Sequence, residues 1–288
     1  CNSGTNAIVS AYSLIKSGLC KNALVVEADI KQTKGSRLVW DISRGSFTLP
    51  VYWAALFAKA HMRKYGTTEE QMASVAVKNR KNAYLNQNAL FRKKISVKDV
   101  MNSKKLVEPL KLLDCSYVCN GASAIFLSSE EESKNYTDVP VWIEGIGSSV
   151  EAASFSNVSS DLSSIHSTRI ASNMAFSMTN IKPEQIDVVE LHDAFTIMEI
   201  MAYEDMGFCE KGEGGKFVFQ KNISINPRGG LLGTGHPLGA TGVAQTVEIC
   251  EQLKGLTGSR QSKGCKRGLV HNMSAAGSSS LVLIISKT

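Results

Sequence analysis

Six glycines fall within the fourteen residues Gly229–Gly242, around a single imidazole, His236, held between Gly235 and Pro237. Glycine at that density is costly inside regular structure and is used where the backbone turns sharply or another group must approach it closely. Any fold for this chain must therefore bring a backbone or a ligand against this run. Val243, Ala244, Val247 and Ile249 follow it at helical spacing and predict a helix from Thr241 to Leu253. The run is not a phosphate loop, because it lacks G-x-x-x-x-G-K-[ST] and is not a strand-linked G-x-G-x-x-G.

The surrounding pattern is that of an α/β protein. Ala7, Ile8, Ala11, Tyr12, Leu14 and Ile15 predict a helix ending near Gly18, and Ala23–Ala28 reads as a buried strand. Helices are expected at Tyr52–Met62, from a Thr67 or Thr68 cap through Ala83, and at Val97–Ser103, with a strand at Ala124–Leu127. The polar stretch Glu130–Asp138 is the expected domain boundary. Beyond it come strands at Val139–Ile146 and Ile186–Leu191, and helices at Thr168–Met178 and Ala194–Met206. Final strands are expected at Gly268–His271 and Ser280–Ile285. With 288 residues, 43% of them hydrophobic, the chain can bury a sizeable core and has room for two domains. Seven cysteines with no C-x-x-C pair argue against a disulfide-stapled domain and a thiol-rich zinc site. No apolar stretch reaches the roughly 20 residues a membrane helix needs.

The net charge of +6 is uneven: Lys59–Lys111 holds 13 Lys/Arg against four Asp/Glu. Such a region suits an anionic partner, such as a phosphorylated small molecule, a lipid headgroup or nucleic acid, or it is a solvated lysine-rich surface. Without helix-turn-helix or zinc-finger spacing, a nucleic-acid partner is not expected.

Three histidines lie in loops where strands end or helices begin: His192, His236 and His271. In open α/β folds such positions converge on one cleft. Cys1 stands directly before a predicted helix, where the free backbone donors of the helix start favour a thiolate. An imidazole near neutrality can take the thiol proton and return it, so Cys with several His suits acyl transfer through a thioester. Zinc is the competing use of the same side chains. The histidines lack a short paired spacing, so no metal is expected.

Taken in order, these motifs resemble the thiolase superfamily, closest to its sterol-carrier-protein-type and archaeal acetyl-CoA acetyltransferase branch. Cys1-Asn2-Ser3-Gly4 resembles the nucleophile motif, His192-Asp193-Ala194-Phe195 the H-D-x-F loop, and Gly235-His236-Pro237-Leu238-Gly239 the G-H-P-x-G loop. His271-Asn272 resembles this branch's replacement for the family's C-x-G loop. Leu112–Ser116 and Asn120-Gly121-Ala122 resemble the return from an inserted loop domain.

The resemblance implies an α/β thiolase fold of two related halves, each with a mixed five-stranded sheet, plus an inserted loop domain. The expected division is residues 1–30 as the remainder of the N-terminal core, 31–114 as the inserted CoA-binding domain, 115–136 as return strand and linker, and 137–288 as the C-terminal domain. It implies acetyl-CoA C-acetyltransferase or 3-ketoacyl-CoA thiolase activity, with coenzyme A and acetyl-CoA as substrates and no tightly bound cofactor. The alternative is a catalytically weak thiolase-like CoA-binding or scaffold protein. Cys1 would carry the acyl group, His236 would activate it, and His192 would stabilise the enolate oxygen through a water. Backbone donors at Cys1 and Ser274–Gly277 would form the other oxyanion hole. The family's second cysteine has no counterpart here, since Ala194 and the His271 loop occupy its usual places, so His271 is expected as the second acid/base. Arg92, Lys93 and Lys94 would meet the CoA phosphates, with Ser274 and Gly277 also at the CoA thioester. Phe47, Trp53 and Phe57 are candidates for an acyl path. A homodimer or tetramer is expected, together with an upstream segment or companion chain completing a truncated N-terminal half. The expected compartment is the cytoplasm; Ser286-Lys287-Thr288 loosely resembles S-K-L and makes the peroxisome the alternative.

Overall fold

The computed structural model describes residues 1–30, 49–151, 161–220 and 222–287. Helix α1 (Ser3–Lys16) buries Ile8 and Ala11 and stops ahead of Gly18, whose φ of +77° suits a residue without a Cβ. It leads into strand β1 (Asn22–Asp29). A helical excursion follows, with α2 (Pro50–Tyr65) and α3 (Glu69–Tyr84). Pro50 opens α2 where no backbone donor is needed. Thr68 caps α3 in a reciprocal box with Gln71, which settles the choice between the two threonines. The short α4 (Val97–Met101) is boxed by Ser96 and Asp99 and precedes the small pair β2 (Lys105–Val107) and β3 (Leu110–Lys111). The chain then returns as β4 (Gly121–Ser128), antiparallel to β1, with Leu24 opposite Phe126 and Val26 opposite Ala124.

After α5 (Glu130–Ser133), which occupies part of the expected polar connection, the second half begins. Its elements are β5 (Val141–Val150), α6 (His166–Thr179), β6 (Val188–Glu190), α7 (Thr196–Asp205), α8 (Gly214–Phe217) and β7 (Ser224–Ile225). Then come α9 (Gly230–Thr234), α10 (Ala240–Lys254), β8 (Arg267–Ser274) and β9 (Ser279–Lys287). Five strands pair in the order β5-β9-β8-β6-β7, with β6 parallel to β7 and β8, and β9 antiparallel to both its neighbours. β8 and β9 run longer than their apolar cores alone predict, since ladder pairing carries both into the loop that joins them.

A helix followed by an antiparallel strand pair occurs twice, as α1–β1–β4 and as α10–β8–β9. The two helices pack against each other, and α10 also contacts β1, β4, β8 and β9. α6 covers the other face of β5 and β9. The equivalent outer face of β1–β4 is apolar and exposed, with Leu24 at 66%, Val26 at 59% and Phe126 at 46% of full accessibility.

The seam between α1 and α10 closes on two glycines, Gly4 and Gly242. A Cβ on Gly4 would collide with the carbonyl oxygen of Gly239, and one on Gly242 with the Thr5 hydroxyl. Gly242→Ala is therefore expected to cost about 1–3 kcal/mol, the usual range for overpacking a tight site. Chemical denaturation measures it, and wild-type stability in the variant would mean that the helices do not sit this close.

Candidate active site

The seam aims the starts of two helices at one place. Cys1 precedes α1, and His236 lies four residues before α10. The His236 N–H donates to the Tyr117 carbonyl at 2.8 Å, and Cys119 N–H donates back to the His236 carbonyl at 3.3 Å, so the return segment clasps the loop like a short strand. Pro237 packs on Gly121, where a Cβ would not fit. Asp29, at the end of β1, accepts the Ala240 N–H at 2.8 Å, and Glu27 accepts the Ser3 hydroxyl at 2.9 Å. Asn2 donates to Ser279 Oγ at 2.8 Å, tying the Cys1 segment to the start of β9.

His192 enters between β6 and α7. The next residue, Asp193, is buried and accepts the N–H groups of Leu231 and Leu232 at 2.7 and 3.2 Å, and the Asn79 amide at 2.7 Å. Burial raises the Asp193 carboxyl above the usual range, and Glu199 nearby pushes it the same way. Gly230, at φ +57°, has no room for a Cβ beside that carboxyl. Asp193 thus fastens the glycine-rich run to the histidine beside it.

One ligand-capable atom from each of Cys1, His192 and His236 lies within 4.8 Å of the others. The two imidazole rings meet edge to face, 5.0 Å between centroids. His236 Nδ1 is 2.8 Å from Thr241 Oγ1, and His192 Nδ1 is 3.2 Å from Asn272 Nδ2. Burial lowers the His236 pKa to about 3 and that of His192 well below its ordinary value, helped for His192 by the neighbouring imidazoles. Both rings are neutral near pH 7. A neutral pair beside a thiol can pass a proton and donate to an oxygen; the same spacing is the size of a three-ligand metal site.

The three side chains line a cavity of about 310 Å³ together with Trp53, Leu106, Val118, Phe195, Leu238 and Met273. Ser274 and Gly277 are on its wall as well. Trp53 meets Phe195 edge to face at 5.4 Å, whereas Phe57 is in the core, and Phe47 lies outside the described residues. Among the described lining residues the titratable side chains are Cys1, Cys115, His192 and His236, and burial pushes the Cys115 thiol up to about 12.

His271 is not brought to the cavity. It is fully buried on β8, with Nε2 3.0 Å from Thr168 Oγ1 on α6. Neighbours on a strand point to opposite faces, and it is Asn272 that reaches His192. Arg92, Lys93 and Lys94 are exposed between α3 and α4 and do not line the cavity; Lys94 Nζ sits 4.5 Å from the Tyr84 ring. Asn272, Thr241 and Gln245 escape sequence reasoning because nothing in their spacing says which face of β8 or α10 meets a histidine.

Burial also lowers the His271 pKa to about 3. Between that value and about 6.5 the unfolded chain binds a proton that the folded chain refuses, so this group's contribution is intact above about 6.5 and is lost as pH falls. His271→Gln is expected to show a shallower loss of melting temperature than wild type between pH 6.5 and 5. Parallel curves would mean that the ring is not buried and neutral.

The family described as thiolase C-terminal domain-like matches residues 147–287. The chain is 39% identical to an acetyl-CoA acetyltransferase of Methanothermobacter thermautotrophicus, over 99% of this chain and 76% of that protein. It is 34% identical to sterol carrier protein 2 of Gallus gallus, over 96% of this chain and 55% of that protein, so it spans little more than half of that relative. The solved Ltp2-ChsH2(DUF35) aldolase superposes with a TM-score of 0.90 at 24% identity, over 99% of this chain and 78% of that one, a likeness of fold. By its sequence relatives and its architecture alike, the chain belongs to the thiolase superfamily.

Proposed function

We propose that this protein is a thiolase-type C-acyltransferase that moves an acyl group between CoA thioesters through a thioester on Cys1. The observation that carries this reading is the Cys1–His192–His236 cluster, within 4.8 Å, on the wall of a mostly apolar cavity. His236, neutral and braced by Thr241, takes the Cys1 proton as sulfur attacks the ketone carbon of a β-ketoacyl-CoA. The carbon–carbon bond breaks, its electron pair leaves as the acetyl-CoA enolate, and His192 holds the enolate oxygen. The enolate takes a proton from the Cys115 thiol, which burial keeps protonated. Cys115 recovers its proton from the His236 imidazolium; a second CoA thiol then gives its proton to His236 and displaces Cys1, which takes that proton back as the acyl-CoA departs. Backbone donors at Cys1 and in the Ser274–Gly277 loop face the thioester oxygen, where aimed dipoles lower the barrier most. The relatives' printed names, acetyl-CoA acetyltransferase and benzoylsuccinyl-CoA thiolase subunit among them, support the same substrate class.

The exposed apolar face of β1–β4 supports a further segment covering it, from upstream sequence or a companion chain, as α6 covers β5 and β9. No helix among the described residues is long and apolar enough to cross a membrane.

Exchange of labelled CoA into acetyl-CoA tests the acyl step, in protein produced with any segment that covers the β1–β4 face. Wild type is expected to exchange, Cys1→Ala to lose exchange, and Cys115→Ala to keep it while losing carbon–carbon cleavage. Exchange that survives in Cys1→Ala would overturn the reading. Replacing Arg92, Lys93 and Lys94 together with Ala is expected to weaken CoA binding and flatten its dependence on ionic strength. Unchanged affinity and salt dependence would remove these residues from the phosphate site.

A further inference from the structure

The proposed role of His192 requires an N–H facing the substrate oxygen, and a neutral imidazole carries only one. Which nitrogen holds it depends on the partner of the other. Here that partner is an amide that could, by itself, point either way. Asn272 Nδ2 lies 3.2 Å from His192 Nδ1 and 2.9 Å from Gln245 Oε1, and Gln245 Nε2 lies 3.4 Å from the His271 carbonyl oxygen. Gln245, His271 and Asn272 are all fully buried.

The far end of this relay cannot be inverted. A backbone carbonyl only accepts, so it takes the Gln245 NH₂ and turns Gln245 Oε1 toward Asn272. That oxygen in turn takes one hydrogen of the Asn272 NH₂. The second hydrogen of the same NH₂ meets His192 Nδ1. Turning Asn272 over would set its oxygen against Gln245 Oε1; turning both amides would set Gln245 Oε1 against the carbonyl. Asn272 Oδ1, which has no hydrogen-bond partner among the described residues, is the cost of this arrangement. A buried acceptor goes without so that the imidazole receives a donor.

We infer that Asn272, oriented by Gln245 and the His271 carbonyl, is a positioning residue that holds His192 as its Nε2–H tautomer, making it a fixed hydrogen-bond donor to the substrate's oxygen. Nδ1 is then an acceptor occupied by Asn272, and Nε2 is the nitrogen left for the cavity. The relay also gives the adjacent pair on β8 a joint purpose: the His271 backbone sets the polarity and the Asn272 side chain delivers it. The inference rests on the acyltransfer reading for the meaning of the donor, but the tautomer itself can be observed without turnover.

Histidine-labelled ¹⁵N NMR of the protein near pH 7 reads the tautomer, with His192 assigned by its loss in His192→Gln. Wild type is expected to show a protonated Nε2 and a bare Nδ1. Asn272→Asp presents only acceptors to Nδ1 and is expected to invert the pattern. Gln245→Leu removes the orienting oxygen and is expected to give a mixture, which serves if Asn272→Asp does not fold; Gln245→Glu, which keeps an acceptor for Asn272, is expected to retain the wild-type signal. In carbon–carbon cleavage of a β-ketoacyl-CoA, the step in which His192 meets the enolate oxygen, Asn272→Asp should lose about 10–100-fold in kcat with little change in KM, the scale known for partners behind metal-bound histidines, while exchange of CoA into acetyl-CoA is retained. A protonated Nδ1 in wild type, or a wild-type tautomer in both Asn272→Asp and Gln245→Leu, overturns the inference. A correct tautomer in a protein that exchanges no acyl groups would leave the relay standing and remove the acyltransfer reading instead.

Discussion

The closeness of α1 to α10 is the constraint on which the site depends. Gly4 lies against the Gly239 carbonyl and the Val243 side chain, and Gly242 against the Thr5 hydroxyl, with no room for a Cβ on either glycine. That contact sets the distance between Cys1 and His236, which belong to opposite halves of the chain. Small residues here reduce local side-chain burial and admit backbone contact in return. The compensation is the apolar packing on either side, where Ile8, Val25, Val243, Ile249 and Leu283 share one cluster. An enzyme that needs its nucleophile and base within a few tenths of an ångström gains more from this rigidity than from another buried methyl.

A second layer of order lies behind the rings. Asp193 holds the N–H groups that open α9, Thr241 braces His236, and Asn272 braces His192. These are buried polar groups in a medium where an unmade hydrogen bond is expensive, so each bond also fixes an orientation. Neutral imidazoles follow from the same burial. The cavity can therefore be apolar enough for an acyl chain and still present a donor and an acceptor at one end.

Much of this is legible in the sequence. Glycine density around His236 marks a close approach, and a cysteine directly before an amphipathic helix is a candidate nucleophile; the structure puts the two together. The capped start of α3 and the apolar strands are also readable, because caps and periodicity are local. His271 shows where local signals end. On a strand it and Asn272 face opposite ways, and only the register of β8 against β6 and β9 decides which of them meets His192. Charge is similarly mute about place: Arg92, Lys93 and Lys94 are basic and exposed, but their composition does not say whether they reach the cavity mouth.

The central claim is that Cys1 carries the acyl group, and mapping the modified peptide by mass spectrometry after brief exposure to acetyl-CoA tests it most directly. The account predicts one acetyl group, on the Cys1 peptide, labile to added CoA and absent in Cys1→Ala. A folded protein that acquires no acetyl group, or one whose label sits elsewhere and persists in Cys1→Ala, would contradict it.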